Sequence, residues 1–103
     1  MLIATTDGIA GRNVEVLGLV RGNVVRAKHV GRDFMAGLKT IVGGEIRGYT
    51  ELMNEARDIA TERMQQEAKN LGADAIVAVR YETCSIMQGS SEVMAFGTAV
   101  RFR

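Results

Sequence analysis

Two side chains in this 103-residue chain could bind a soft or borderline metal ion, His29 and Cys84. Imidazole and thiolate groups are the ligands that zinc, copper and similar metals prefer. No C-x-x-C or H-x-x-x-H spacing is present, so one copy supplies too few such ligands for an ordinary zinc site. A symmetric oligomer would repeat each residue around its axis. We therefore expect metal binding only from an assembly. The alternatives are a surface or capping role for His29 and an ordinary strand thiol at Cys84.

A second group of residues could bind a small anionic or aromatic ligand. Guanidinium groups pair with anions, and they can equally pair with neighbouring carboxylates. The glycine-rich segment 43–48 is the most plausible ligand-facing loop, although it matches neither the Walker pattern nor G-x-G-x-x-G. The candidate ligand-binding residues are Arg32, Asp33, Tyr49, Arg57 and Glu82.

The sequence contains no recognisable catalytic constellation. A nucleophilic Cys84 would need a nearby base, and the single histidine, His29, lies far earlier in the chain. Glu45 and Glu82 could act as an acid–base pair only at a separation that the sequence does not define. We expect a protein that is not an enzyme.

Composition narrows the partners and the compartment. With 13 Lys and Arg against 12 Asp and Glu, the net charge of +1 gives no field that would attract nucleic acid or an anionic membrane. No apolar run approaches the roughly 18 residues that span a bilayer, and the amino terminus lacks a signal pattern. A single cysteine suits a reducing compartment. We expect a cytoplasmic protein without nucleic-acid or membrane partners.

The first third of the chain predicts short strands. Residues 2–6 form an apolar run that Asp7 and Gly8 end, and residues 14–20 and 24–27 are rich in β-branched side chains. The interruption around Gly22 predicts a tight turn between two strands. Neither face of residues 14–20 is clearly polar, so both faces could be covered, one of them by another subunit.

The middle of the chain changes to helical periodicity. A short helix is predicted from Asp33, with Gly43 and Gly44 at its end. A longer helix is predicted from Thr50 as N-cap, ending at Lys69 and Gly72. Its apolar stripe consists of Met53, Ala56, Ile59, Ala60, Met64, Ala68 and Leu71.

The last third predicts an antiparallel hairpin of residues 75–82 and 93–102. Alternation in the final strand separates a face of small residues from a bulky face, and the small face could lie under a helix. The small residues are Val93, Ala95, Gly97 and Ala99. With no linker or repeat, residues 1–103 form one α+β domain.

Several separated blocks, in the same order over the whole chain, resemble the YbjQ-like family, whose members are regarded as heavy-metal-binding proteins. The blocks are Gly31–Phe34, Gly43–Gly44, Tyr49, Glu55–Ala60, Gly72–Val77, Tyr81–Glu82 and Gly97–Val100. The resemblance implies a dodecin-like α+β subunit, with one short and one long helix on an antiparallel sheet. It also implies a ring-shaped homopentamer without established enzymatic activity.

The resemblance makes heavy-metal binding or sequestration by a homopentamer the leading functional hypothesis. The implied cofactor is a divalent or soft heavy-metal ion, with His29 and Cys84 as its candidate ligands. Neither residue looks like a family position, so a metal role for them would be peculiar to this chain. The alternatives are a non-metal oligomeric module binding a small anionic or aromatic ligand, or a protein-interaction scaffold.

Overall fold

The computed structural model describes residues 1–27, 47–87 and 90–103. Within them the chain forms four strands and one helix. In chain order these are β1 (Leu2–Ile3), β2 (Val14–Ala27), α1 (Arg47–Asn70), β3 (Ala75–Met87) and β4 (Ser90–Phe102). The short helix predicted from Asp33 and residues 43–46 of the predicted loop lie outside the described residues. Among those that are described, no helix is both long and apolar enough to cross a bilayer.

The four strands form one sheet in the order β1-β3-β4-β2. β4 is antiparallel to both of its neighbours, as the predicted hairpin requires, and the α+β class is confirmed. The expectation of a purely antiparallel sheet was wrong, because β1 pairs in parallel with β3 through Leu2 and Ala75. This pairing joins segments that are distant in sequence, so no local sequence pattern predicts it.

β2 is one continuous strand, which corrects the prediction of two strands around a turn. It pairs with β4 over its length, from Val14 opposite Phe102 to Ala27 opposite Ser90. Gly22 lies in the middle of β2 and faces α1. A Cβ built on Gly22 would overlap the backbone of α1 at Ala60 and Met64. The glycine therefore permits close helix–strand contact and does not form a turn.

The predicted stripe of α1 faces the sheet through Ala56, Ala60, Met64 and Ala68, which are completely buried. The inclusion of Leu71 in that stripe was wrong, because Leu71 follows the last residue of α1 and is 43% exposed. The helix already includes Arg47, so the predictions that Thr50 is its N-cap and that residues 47 and 48 belong to a loop were wrong. The predicted end is confirmed. Gly72 has φ 80°, and the Ala73 N–H donates to the Ala68 carbonyl oxygen at 3.1 Å.

The main core lies between α1 and the sheet. The small-residue face of β4 is buried there, as predicted, because small side chains let the helix approach the sheet closely. The buried members of this core are Val20, Val24, Ala56, Ala60, Met64, Ala68, Ile76, Val79, Val93, Ala95 and Ala99.

A smaller cluster lies on the other side of the sheet. Ala75, Val77 and Val100 are buried there, with Ile9, Val14 and Phe102 packed against them. The guanidinium of Arg12 lies 3.9 Å from the centre of the Phe102 ring. This cluster covers only the end of the sheet near the two chain termini.

Candidate functional site

Cys84 and Glu92 occupy directly opposite positions on β3 and β4. Opposite residues in an antiparallel pair share one face of the sheet, and here it is the face away from α1. Cys84 is exposed, and its thiol makes a long contact of 3.6 Å to the Ser85 carbonyl oxygen. The Asn23 amide donates to a Glu92 carboxylate oxygen at 3.4 Å. The exposed hairpin therefore presents a thiol beside a carboxylate.

Glu82 lies on the same face, opposite Met94, and is exposed. It stands two residues before Cys84, so the two Cα atoms are roughly 6.6 Å apart along the strand. Within residues 1–27, 47–87 and 90–103, no group of three or more His, Cys, Asp or Glu side chains could hold one metal ion. Cys84 and Glu92 alone provide two donors, which is too few for a tetrahedral site. The described part of a single copy does not fit a closed metal centre.

The predicted small-ligand residues are only partly described. Arg57 lies on α1, where its Nη2 donates to the Asn54 side chain, while Glu82 lies on the opposite face of the sheet. Tyr49 belongs to α1, but its side chain is outside the described part, as are the predicted residues Arg32, Asp33 and His29. The structure therefore does not bring Arg57 and Glu82 together, and the small-ligand hypothesis stays a prediction.

Sequence reasoning missed a polar contact between β3 and α1. The hydroxyl groups of Tyr81 and Thr61 are 2.8 Å apart, and the Thr61 hydroxyl also donates to the Arg57 carbonyl oxygen at 2.7 Å. Strand alternation could have revealed it, because Tyr81 and Thr83 lie on the face opposite Glu82.

Beside this contact lies a shallow pocket of about 210 Å³. Its walls come from β1, from the residues that follow β1 and from β3. The Arg80 guanidinium lies close by and donates to the carbonyl oxygens of Thr5 at 3.0 Å and Val79 at 2.9 Å. The lining residues are Ile3, Ala4, Thr5, Val79 and Tyr81.

The model of the YbjQ family, which carries the description "Putative heavy-metal-binding", matches residues 1–103 of the chain. The chain belongs to this family. Relatives of the YbjQ family span the same length under the name UPF0145 protein. One from Vibrio parahaemolyticus is 64% identical over 102 residues, covering 98% of this chain and 97% of the relative. Another, from Thermotoga maritima, is 55% identical over 102 residues, covering 98% and 96%.

A solved structure has the same fold. It is a protein of unknown function from Pediococcus pentosaceus, assigned to the DUF74 family. The TM-score is 0.73 and the sequence identity 19%, with 100% of this chain and 98% of the other chain covered. At this identity the likeness shows the fold alone.

Proposed function

We propose that this protein binds or sequesters a soft heavy-metal ion as a homopentamer in the cytoplasm, and that it is not an enzyme. The description of the YbjQ family supports binding of a heavy-metal ion. The family resemblance, which implies a ring-shaped homopentamer, supports an assembly of five copies. The observation that carries the proposal is the exposed Cys84 thiol directly opposite the Glu92 carboxylate. A reducing compartment keeps such a thiol free to bind metal.

The donor types indicate the class of metal. A thiolate favours soft or borderline ions such as Cd²⁺, Cu⁺ and Zn²⁺ over Mg²⁺ or Ca²⁺. Because Cys84 and Glu92 provide two donors, the remaining ligands must come from a second copy, from water or from residues outside the described ranges, which include the other candidate ligand, His29. Assembly is therefore part of the proposal.

Two open strand edges support the assembly. In the described part of the chain, no strand pairs with the outer edge of β3 beyond Val79, and β2 pairs with β4 alone. Unpaired edges of this length are templates for pairing with another chain. Two different edges on one sheet permit head-to-tail contacts, and such contacts form a closed ring when the rotation between copies is suitable.

The test is a titration of reduced protein, purified without chelator, with Cd²⁺, Zn²⁺, Cu⁺ and Ni²⁺, followed by native mass spectrometry. We expect a pentamer that binds at least one of these ions in stoichiometric amounts. Cys84→Ser should abolish that binding, and Glu92→Gln should weaken it by about tenfold or more. The control is Glu67→Gln, at an exposed position on α1, which should bind as the unchanged protein does. Affinities no tighter than millimolar for all four ions would refute the proposal.

A further inference from the structure

The sheet face opposite α1, here called the open face, carries four consecutive rows of side chains. Each row contains one residue from β2, one from β4 and one from β3. Two of the β2 residues are large and apolar yet well exposed, Leu19 at 66% and Val25 at 54%. In the order β2, β4, β3, the rows are Leu19–Thr98–Val77, Arg21–Phe96–Arg80, Asn23–Met94–Glu82 and Val25–Glu92–Cys84.

A two-fold rotation can bring rows of complementary chemistry on two copies of the open face opposite each other. The relevant axis crosses the strands midway between the row of Phe96 and the row of Met94. Rotation by 180° about it places a second open face on the first, with each strand antiparallel to its own copy. The first row then meets the fourth, and the second row meets the third. An interface of this isologous kind requires a self-complementary surface.

We propose that the open face binds the open face of a second copy of this chain in this orientation. Along β3, Arg80 then faces Glu82 of the second copy, and the symmetry repeats this opposite-charge pair. Along β4, Phe96 faces Met94 of the second copy, a favourable contact between an aromatic ring and a thioether sulfur. Packed sheets lie about 10 Å apart, a distance that these long side chains span.

The β2 strands match in the same way. Leu19 faces Val25 of the second copy, so the two exposed apolar side chains cover each other. Arg21 faces Asn23 of the second copy, whose amide oxygen can accept a hydrogen bond from the guanidinium. In these four pairs, apolar groups meet apolar groups, and each arginine meets a side chain that can accept a hydrogen bond from it. The remaining pairs place Glu92 opposite Thr98 of the second copy, and Cys84 opposite its Val77, which the smaller cluster already covers.

The other face-to-face two-fold orientation is disfavoured by charge. With an axis parallel to the strands, each row faces the same row of the second copy, and β2 faces β3. Arg21 would then face Arg80 of the second copy, and like charges would repel each other across the interface. The arrangement of charges therefore selects the axis that crosses the strands.

The four rows cover roughly 400 Å² per copy, since each row adds about 6.6 Å along three strands that are about 4.8 Å apart. One pair of faces therefore buries less than a typical stable interface. We therefore expect weak, concentration-dependent pairing of the open faces.

The first test reverses the facing charges and measures mass by native mass spectrometry and sedimentation velocity over a range of concentrations. Arg80→Glu and Glu82→Arg should each halve the mass of the assembly, and the combined variant should restore it. Glu67→Arg, an exposed charge reversal on α1, should leave the mass unchanged. Single reversals without effect, or a double variant that fails to recover, would overturn the proposal. A protein that forms no ring would still show this charge-sensitive pairing, so the two proposals can fail separately.

The second test does not depend on Arg80, whose replacement would remove its hydrogen bond to the Thr5 carbonyl oxygen and could alter folding. In a Cys84→Ser background, Leu19→Cys and Val25→Cys proteins are mixed and treated with a short bis-maleimide linker. We expect cross-linked dimers from the mixture and few from Leu19→Cys alone, whose two copies lie far apart in this orientation. If residues 28–46 of the same copy, or another protein, cover the open face, the mixture will not cross-link, and the proposal is wrong.

Discussion

Gly22 of β2 and Ala60 of α1 are in backbone contact, because a Cβ built on Gly22 would overlap the Ala60 carbonyl oxygen. The same Cβ would lie 2.7 Å from the Cβ of Arg63. Gly22 is buried, and Ala60 is completely buried. The contact therefore sets the distance between the helix and the sheet, and with it the position of the whole main core.

Gly22→Ala should destabilise the protein by about 2–3 kcal/mol, because the new methyl group can be accommodated only if α1 moves away from β2. Urea unfolding followed by circular dichroism measures the change in the free energy of unfolding. Gly8→Ala is the matched control, since a Cβ there meets nothing within 4 Å. Equal effects of the two substitutions would show that the close contact does not limit stability.

Ala60→Glu should destabilise the protein by about 3 kcal/mol or more, because it buries a carboxylate without a partner in the main core. Ala60 has 0% exposure. Gln66→Glu introduces the same charge at an exposed position of the same helix and should change stability little. Thermal melting of both variants distinguishes them, and an unchanged melting temperature for Ala60→Glu would mean that this face of α1 is not packed.

Ala78→Gly should stabilise the protein by roughly 1 kcal/mol, although it removes a methyl group. Ala78 has φ 53°, a left-handed conformation that is unfavourable for any residue with a Cβ and acceptable for glycine. It lies where the register of β3 and β4 shifts, between Val77 and Arg80. Ala10→Gly, in an exposed segment, should be neutral or destabilising. Guanidinium unfolding measures both, and a loss of stability in Ala78→Gly would contradict the strained backbone.

The Tyr81–Thr61 contact should contribute about 0.5 kcal/mol, the low end for a hydrogen bond because Tyr81 is 43% exposed. A double-mutant cycle of Tyr81→Phe and Thr61→Ala isolates this energy from other effects of each substitution. Thr61→Ala also loses the hydrogen bond to the Arg57 carbonyl oxygen, and this loss cancels in the cycle because it occurs with either residue at position 81. Strict additivity of the two changes would show that the hydroxyl groups do not interact in solution.

Local sequence patterns were sufficient to predict the elements whose stabilising contacts are close in sequence or repeat with a fixed period. The 3.6-residue stripe through Ala60 and Ala68 identified the buried face of α1, and Gly72 identified its end. The two-residue alternation of β4 identified the face that Ala95 and Ala99 bury. Each pattern repeats along one element and needs no distant partner to be recognised.

Contacts between segments that are distant in sequence could not be predicted from local patterns. Gly22 was interpreted as part of a turn, because a glycine that permits close backbone contact and one that permits a turn look identical in a sequence. The parallel pairing of β1 with β3 was missed for a related reason, since only two residues of β1 take part.

The same distinction between local pattern and distant pairing applies to the candidate site. The sequence could name Cys84 and Glu82 as residues with useful chemistry, but it could not place Glu92 opposite Cys84 or align Arg80 with Phe96. Those neighbours depend on the register of β3 and β4, and that register shifts twice, between Val77 and Arg80 and between Ser85 and Met87. A one-residue change in register moves side chains to the other face of a sheet. The identity of the reactive residues is therefore a property of the sequence, whereas their grouping on the open face is a property of strand pairing.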